Sequence, residues 1–268
     1  MNFPKETKRE IIGVIPAGGL ATRLGPLPCS KEIYPLTLGE SREGRPKAIC
    51  NFLLEKMRLA GVTKAYIIVR EGKWDIPAYL RDGKMLGMNI AYLVMDVPFG
   101  VPFTIDQAFP FVQEANIAFG FPDIFIETND VFTKPSARLA YNDCDVVLAL
   151  FPSNRPDKAD MVDFGADGKI KDIIIKQSQS NLPFTWGAAV WTPVFTRFMH
   201  SYVATEAGSR AENQNELFIG EVVRAAIIEG LRVETVQVSD KPFLDIGTPE
   251  DLLRAARELM SCHEKDHL

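Results

Sequence analysis

The chain has 268 residues, of which 46% are hydrophobic and 24% are charged, and its formal net charge is -5. These values are ordinary for a globular protein with a large core, and the acidic balance excludes the broad positive surface of a protein that binds nucleic acid or anionic lipid. No segment approaches the roughly 20 apolar residues that a membrane span requires. We therefore expect a cytoplasmic protein with no nucleic-acid partner and no membrane partner, in which any affinity for phosphate is confined to a pocket.

The cysteines are scattered, with no C-x-x-C pair, at Cys29, Cys50, Cys144 and Cys262. A chain of this length buries enough apolar surface to fold without disulfides. Reduced thiols, as in a cytoplasm, are therefore expected.

The first predicted element is a short strand at residues 11–16, which is apolar enough to be buried on both faces. It ends at a turn of small residues, in which Gly18 and Gly19 leave the backbone free to approach an anion. Arg23 and Lys31 follow and supply positive charge. The stretch therefore predicts a cradle for a triphosphate at the carboxyl end of this strand.

Two better-known phosphate loops do not fit this stretch. A Walker loop requires Ser or Thr after Gly-Lys, and the Gly-Lys pairs of this chain continue as Trp74, Met85 and Ile170. A dinucleotide fingerprint requires G-x-G-x-x-G spacing, which residues 17–22 do not offer. The structural alternative is a turn at a strand end with two solvated cations.

Strand and helix patterns alternate through the first two-thirds of the chain. Further strands are predicted at 65–69, 90–95, 116–119 and 145–150, and helices at 46–61, at 75–83 with Asp75 as N-cap, from 104 onward, and at 133–142. This alternation predicts an α/β fold with a mostly parallel mixed sheet and helices on both of its faces. Ligands of such sheets bind at the carboxyl ends of the strands, where Gly18 and Asp123 fall.

The last third of the chain changes character. Asp167-Gly168 predicts a hairpin turn between two strands, and Pro193 and Pro249 each open a predicted helix. The polar stretch 204–215 is expected to be a loop. We expect this β-rich part to be appended to the parallel sheet.

The N-terminal motif resembles the signature of the sugar nucleotidylyltransferases, the NDP-sugar pyrophosphorylases that include glucose-1-phosphate thymidylyl-, cytidylyl- and uridylyltransferases. In that family the loop reads roughly G-G-x-G-T-R-L-x-P and is followed by Pro-Lys or Ser-Lys. The residues at matching positions are Gly18, Gly19, Thr22, Arg23, Leu24, Pro26 and Lys31. Ala21 stands where the third glycine is usual, and further matches extend over nearly the full chain.

This resemblance implies a Rossmann-like fold and a single nucleotidyltransferase domain over residues 1–268, with a nucleotide-binding half before about residue 155 and a sugar-phosphate-binding half after it. It also implies transfer of a nucleotidyl group from a nucleoside triphosphate to a sugar 1-phosphate, which gives an NDP-sugar and pyrophosphate. The attacking phosphate oxygen is already ionised, so the protein has to supply alignment and charge neutralisation and needs no general base. The two substrates are the expected partners, and a homo-oligomer is compatible with the sequence.

Two aspartates match the metal ligands of that family. Asp123 follows a buried strand and resembles the aspartate of its Gly-Asp motif, and Asp245 resembles the aspartate of its Trp-Leu-Asp-Thr-Gly-Thr element. Mg²⁺ keeps several waters and needs few protein ligands. Each aspartate taken singly could be a turn residue, but together with the loop, and in the family order, they imply a site for Mg²⁺.

The resemblance also assigns the other site residues. Arg23 and Lys31 are the catalytic cations, Lys176 matches the lysine that grips the sugar phosphate, and Gly187 lies on a strand that resembles the one beside the sugar. The residues implied to bind the nucleotide are Ala17, Gly18, Gly19, Thr22 and Gly100, the last of them at the nucleobase.

The chain departs from the family pattern where the base and the sugar are read. The departures are Met95 near the position of the base-reading Gln, Pro122 before the first aspartate, Ala159-Asp160 in place of Tyr-Gly, Ile175 in place of Glu, and Gln177 in place of Pro. The base and the acceptor therefore stay open. The alternatives are a non-sugar acceptor, such as choline phosphate or an alditol phosphate, and a catalytically silent relative that binds nucleotide and regulates a partner.

Overall fold

The computed structural model describes residues 9–37, 47–96, 99–213 and 215–265. The strands are β1 (Ile11–Pro16), β2 (Pro35–Thr37), β3 (Lys47–Ala48), β4 (Lys64–Arg70), β5 (Asn89–Met95), β6 (Asn116–Gly120), β7 (Ile124–Phe125), β8 (Val146–Pro152), β9 (Met161–Phe164), β10 (Ile170–Ile174), β11 (Phe184–Trp191), β12 (Val233–Gln237) and β13 (Leu244–Asp245). The helices are α1 (Ile49–Leu59), α2 (Asp75–Leu80), α3 (Val101–Asp106), α4 (Phe109–Val112), α5 (Thr133–Tyr141), α6 (Pro193–Asn213), α7 (Ile219–Ile228) and α8 (Pro249–Lys265).

The central sheet has nine strands in the order β10-β9-β11-β6-β1-β4-β5, with β8 between β11 and β12. Strands β6, β1, β4 and β5 are parallel, whereas β11 runs antiparallel to β6, β8 and β9. The predicted mixed sheet is therefore confirmed, including the hairpin of β9 and β10 around Asp167-Gly168. The division of the chain into two halves near residue 155 stays a prediction.

Helices cover both faces of the sheet because its inner strands are apolar on both sides. One core lies under α3, α4, α6 and α7 and includes Phe119 and Phe195, and the other lies under α1, α2 and α5 and includes Leu53 and Phe132. A third, smaller cluster joins α8 to β2 and β13. This last cluster fixes β13, and with it Asp245, against the body of the fold.

Three expectations about helices were wrong. Helix α6 continues to Asn213, where a loop was expected, because alanine, glutamate and arginine favour a helix even when the segment is polar. Helix α3 begins at Val101, with Pro102 in its first turn, and not near Thr104. Asp75 is the first residue of α2 and not its N-cap, which is Trp74.

None of the helices in the described part of the chain is both long enough and apolar enough to cross a membrane. Cys29, Cys50 and Cys144 are free.

Candidate active site

A cavity of about 300 Å³ opens at the carboxyl ends of β6 and β8, and we refer to it as the central cavity. Its walls come from widely separated parts of the chain. They include five of the residues that the sequence predicted for the site, namely Arg23, Lys31, Asp123, Lys176 and Asp245. The fold therefore brings together the charged residues of the prediction, which span more than 200 positions of the sequence.

Lys31 lies on a short 3-10 turn that is anchored from two sides. The backbone N–H and the hydroxyl of Ser30 donate to the two carboxylate oxygens of Asp75, at 2.6 and 2.7 Å. Glu32 points inward and forms a buried ion pair with Lys73, with 2.6 Å between Oε1 and Nζ. These contacts hold the Lys31 side chain toward the cavity.

Replacing Asp75 by alanine is expected to release this turn. The variant loses two hydrogen bonds to a carboxylate, so we expect the free energy of unfolding to fall by about 1–3 kcal/mol. If the chain is active, turnover should fall as well, because Lys31 loses its alignment. Denaturant unfolding measures the first effect, with Asp82→Ala, at an exposed aspartate, as the control. Unchanged stability in Asp75→Ala would show that Ser30 does not depend on this carboxylate.

Asp123 follows β6 and forms an ion pair with Lys31, between Oδ2 and Nζ, in which the two side chains are only 16% and 15% exposed. Burial alone would raise the pKa of Asp123, but the ammonium of Lys31 holds it below its ordinary value. Burial likewise lowers the pKa of Lys31, yet the carboxylates of Asp123, Glu32 and Asp245 together raise it above the usual range. Both partners are therefore charged at neutral pH.

Asp245 lies beside Asp123 because β13 pairs with β7. In that pairing Asp245 is opposite Ile124, and the backbone N–H of Ile246 donates to the carbonyl of Asp123 at 3.4 Å. One carboxylate oxygen of Asp245 accepts from the backbone N–H of Gly247 at 2.7 Å. Burial, and then repulsion from Asp123, raises the pKa of Asp245. Two carboxylates thus face one ammonium.

This arrangement fits a divalent cation. The carboxylates of Asp123 and Asp245 repel each other, and Lys31 neutralises only one of the two charges. No group of three or more His, Cys, Asp or Glu side chains in the described residues could hold a metal ion, so the candidate site rests on this pair of carboxylates. Two carboxylates with the remaining positions left to water are a donor set that suits Mg²⁺.

Arg23 reaches the cavity from the loop after β1. It lies on a short 3-10 turn, Thr22–Leu24, and its side chain is exposed. The preceding Ala21 has φ 53° and ψ 27°, the left-handed conformation that favours glycine. The geometry thus explains why the resembling motif has glycine at this position. The side chain of Thr22 lies outside the described part of the structure.

The small residues of the same loop do not line the central cavity. Ala17 is buried, and its backbone N–H donates to the carbonyl of Ile68 at 2.7 Å, so this donor is already used within the fold. Gly18 is buried and Gly19 is exposed. A role of these residues in binding a nucleotide stays a prediction.

Gly100 has a structural requirement that the motif did not reveal. Its φ is +118°, and a Cβ at this position would lie 2.1 Å from the carbonyl oxygen of Leu217. The two residues form an isolated parallel bridge, in which the backbone N–H of Leu217 donates to the carbonyl of Phe99 at 2.8 Å. Gly100 is not among the lining residues of the cavity, and its contact with a nucleobase stays a prediction.

Substituting Gly100 by alanine should therefore cost at least about 2 kcal/mol of unfolding free energy, since both the clash and the positive φ oppose a side chain. Gly19→Ala is a matched stability control, because a Cβ at Gly19 has nothing within 4 Å. Thermal and denaturant unfolding of both variants measure the difference. Equal stabilities of the two would contradict the packing against Leu217.

Gly187 lies on β11 and packs against sequence neighbours of the metal-ligand candidates. A Cβ here would lie 3.0 Å from the ring of Phe243 and 3.2 Å from Ile124. Both neighbours flank the aspartates, since Phe243 precedes β13 and Ile124 follows Asp123. Gly187 thus allows the close packing that positions the two carboxylates, and direct contact with a sugar stays a prediction.

Lys176 lines the cavity on the side of β9 and β11. Its ammonium lies over the ring of Phe218, 3.7 Å from the centroid, in a cation–π contact. Asp160 lies close enough to interact electrostatically with Lys176. This end of the cavity therefore combines a cation, a carboxylate and aromatic walls.

Sequence reasoning missed a basic cluster on another wall of the cavity. Asp251, in the first turn of α8, is 2% exposed and accepts from Arg155 at 3.0 Å, Lys158 at 2.8 Å and Thr248 at 2.7 Å. Burial would raise the pKa of Asp251, but Lys158 and the other donors lower it to about 2. The spacing of Thr248 and Asp251 before an apolar run was the available signal, since it marks a helix start.

Comparison with known proteins gives one family over most of the chain. Residues 12–261 match the nucleotidyl transferase family. A glucose-1-phosphate thymidylyltransferase of Mycobacterium tuberculosis is 26% identical over 255 residues, which cover 91% of this chain and 80% of that protein. The low-salt glycan biosynthesis nucleotidyltransferase Agl11 of Haloferax volcanii is 23% identical over 248 residues, which cover 91% of this chain but only 64% of that longer protein.

A solved structure shares the fold. The crystal structure of a UDP-glucose pyrophosphorylase in complex with UDP-glucose superposes with a TM-score of 0.73 at 18% identity, and the match covers 94% of this chain and 99% of that one. The mixed sheet and its helices are thus arranged as in that protein.

Proposed function

Because the chain belongs to the nucleotidyl transferase family, we propose that it transfers a nucleotidyl group from a nucleoside triphosphate to a sugar 1-phosphate. The products are an NDP-sugar and pyrophosphate. The observation that carries this proposal is the meeting of Lys31, Asp123 and Asp245 at one edge of the central cavity. The names of the relatives, which act on glucose 1-phosphate or UDP-glucose, support the class of substrate.

The reaction is an in-line displacement at the α-phosphorus. An oxygen of the acceptor phosphate forms a bond to the α-phosphorus, the bond from this phosphorus to the oxygen that bridges to the β-phosphate breaks, and pyrophosphate leaves. Arg23 and Lys31 neutralise the charge that develops on the triphosphate, because both are cations on the cavity wall. Lys176 orients the acceptor phosphate, and Asp123 and Asp245 would hold Mg²⁺, which would supply further positive charge to the reaction.

Lys31 has a second role in this arrangement. In the absence of substrate it is paired with Asp123. A bound cation would compete for the Asp123 carboxylate, and a bound triphosphate would compete for the Lys31 ammonium. The ammonium is thus positioned to turn from the carboxylate to the phosphate. The site is thus preorganised, with charged groups held by Asp75 and the Glu32–Lys73 pair.

The experiment that tests the proposal is pyrophosphate release by the whole chain. The protein is supplied with an equimolar mixture of ATP, CTP, GTP, UTP and dTTP, with Mg²⁺, and with one acceptor at a time. Glucose 1-phosphate, glycerol 3-phosphate and phosphocholine represent the sugar, alditol and choline classes. Release that requires glucose 1-phosphate supports the proposal, and release with another acceptor alone would support the corresponding alternative. Nucleotide binding by calorimetry without release on any acceptor would favour the catalytically silent relative.

A further inference from the structure

Three buried polar atoms on the wall of the central cavity have no hydrogen-bond partner among the residues that the structure describes. One of them, Nε of Arg254, belongs to a guanidinium that forms an ion pair with Glu258 at 3.9 Å. The other two are the Oδ1 oxygen of Asp160 and the indole Nε1 of Trp186. Buried polar groups in folded proteins nearly always have a partner, and one that lacks it calls for an explanation such as a missing ligand. Here an acceptor and a donor are both left open in the same cavity.

Trp186 lies on β11, and Asp160 immediately precedes the neighbouring strand β9. Thr185 on β11 pairs with Met161 on β9, and the Thr185 hydroxyl donates to the carbonyl of Asp160 at 2.8 Å. Extending this antiparallel register by one residue places Trp186 opposite Asp160. Directly opposed residues point to the same face of a sheet, with their Cβ atoms about 4.5–5.5 Å apart. The open acceptor and the open donor are therefore neighbours on one face.

The fold keeps room for this carboxylate. A Cβ at Gly220, in the first turn of α7, would lie 2.3 Å from the Oδ2 oxygen of Asp160, so only glycine allows the carboxylate to sit there. Burial raises the pKa of Asp160 to about 6, although the Lys176 ammonium and backbone N–H lower it. The Asp160 carboxylate is therefore charged at neutral pH, and burying this charge destabilises the folded protein.

The geometry points to Asp160 and Trp186 as the residues that bind one hydroxyl group of the acceptor, and so select a hydroxylated acceptor phosphate over one that lacks such a group. A hydroxyl donates to the carboxylate and accepts from the indole N–H, and thereby satisfies both open atoms. The trimethylammonium group of phosphocholine can do neither. This inference rests on the proposed function, since Lys176 beside Asp160 would hold the phosphate of the same acceptor.

The test uses Asp160→Asn and Trp186→Phe in the full-length chain. Trp186→Phe removes the open indole N–H, and Asp160→Asn replaces the charged carboxylate with a neutral amide, which is a weaker acceptor; both changes alter the side-chain volume little. The expected result is a rise of about 10- to 100-fold in the KM of glucose 1-phosphate, with an unchanged KM for the nucleotide mixture. The double variant should be less than additive, because both residues bind one hydroxyl. Thermal stability should not fall in either single variant, since Trp186→Phe removes an unpaired buried donor and Asp160→Asn removes a buried charge.

Matched controls are available on β11 and β9. Trp191→Phe removes an indole N–H that does have a partner, the hydroxyl of Thr196 at 3.0 Å, so it should lose stability and keep the KM of the acceptor. Asp163→Asn changes a carboxylate on β9 that is 44% exposed and should alter neither quantity.

The outcomes separate this inference from the function beneath it. If the wild-type chain releases pyrophosphate with none of the acceptors, the proposed function is refuted, and the inference is refuted with it. If the wild type is active and the KM of the acceptor is unchanged in Asp160→Asn and Trp186→Phe, the proposed function stands and the inference is overturned. A wild type that prefers phosphocholine to glucose 1-phosphate would also overturn the inference. Loss of stability in both variants would also overturn it, because the two atoms would then have partners within the protein.

Discussion

Replacing Asp245 by asparagine is expected to lower turnover by about 100- to 1,000-fold and to abolish its dependence on Mg²⁺, because one of the two carboxylates that we propose to hold the cation loses its charge. The fold should persist. Burial and repulsion from Asp123 already raise the pKa of Asp245, so a neutral side chain of the same shape relieves an unfavourable charge. Steady-state turnover against Mg²⁺ concentration, with thermal unfolding beside it, measures both effects.

Asp240→Asn is the control for this variant, since Asp240 is exposed and lies outside the cavity. It should retain wild-type turnover and the wild-type response to Mg²⁺. If Asp245→Asn also retained both, Asp245 would not be part of a metal site, and its position beside Asp123 would be a matter of packing alone.

Replacing Arg23 by alanine should reduce turnover by a similar factor, about 100- to 1,000-fold, through loss of a cation that stabilises the developing charge. The Arg23 side chain is exposed, so the free energy of unfolding should change by less than about 0.5 kcal/mol. Arg23→Lys keeps the positive charge but not the planar guanidinium group, and its turnover should lie between those of the wild type and Arg23→Ala. Turnover of all three proteins under saturating substrates gives the ranking.

The matched control is Arg257→Ala, at an exposed arginine of α8 outside the cavity. It should have no effect on turnover. An Arg23→Ala variant as active as this control would show that Arg23 only borders the cavity and takes no part in the reaction.

The strands and one part of the charged centre, the Arg23 loop with Asp123, were predictable because they are encoded locally. Apolar runs such as residues 65–69 specify buried strands, and the parallel sheet then brings its carboxyl ends to one edge. That rule was sufficient to place the Arg23 loop and Asp123 together. Asp245 is much farther along the chain, and its place at this edge depended on the resemblance and not on any local pattern.

The contacts that support the site residues were not predictable, because they join residues that are far apart in the sequence. Ser30 and Asp75 are 45 residues apart, Glu32 and Lys73 are 41 apart, and Arg155 and Asp251 are 96 apart. No spacing in the sequence marks such pairs, since only the packing of α2 and α8 brings them together. The helix over 204–213 was missed because its polar residues show no apolar face.

The glycines show a further limit of motif reading. A motif identifies Gly100 and Gly187 as positions that require glycine but does not say what approaches them. In the structure the neighbours are the Leu217 backbone and the Phe243 ring. Packing within the protein is therefore enough to explain why both positions require glycine, whatever these glycines contact in a complex.

The central claim is that the cavity transfers a nucleotidyl group, and the fate of the α-phosphorus tests it most directly. The nucleoside triphosphate accepted by the wild-type chain, labelled at the α-phosphorus, is incubated with Mg²⁺ and the acceptor, and the label and the released phosphates are followed together. The account predicts that label enters a product that contains the acceptor phosphate, with one pyrophosphate for each, and that both form about 100- to 1,000-fold more slowly in Asp245→Asn. Release of orthophosphate in place of pyrophosphate, or label that never joins the acceptor, would contradict it.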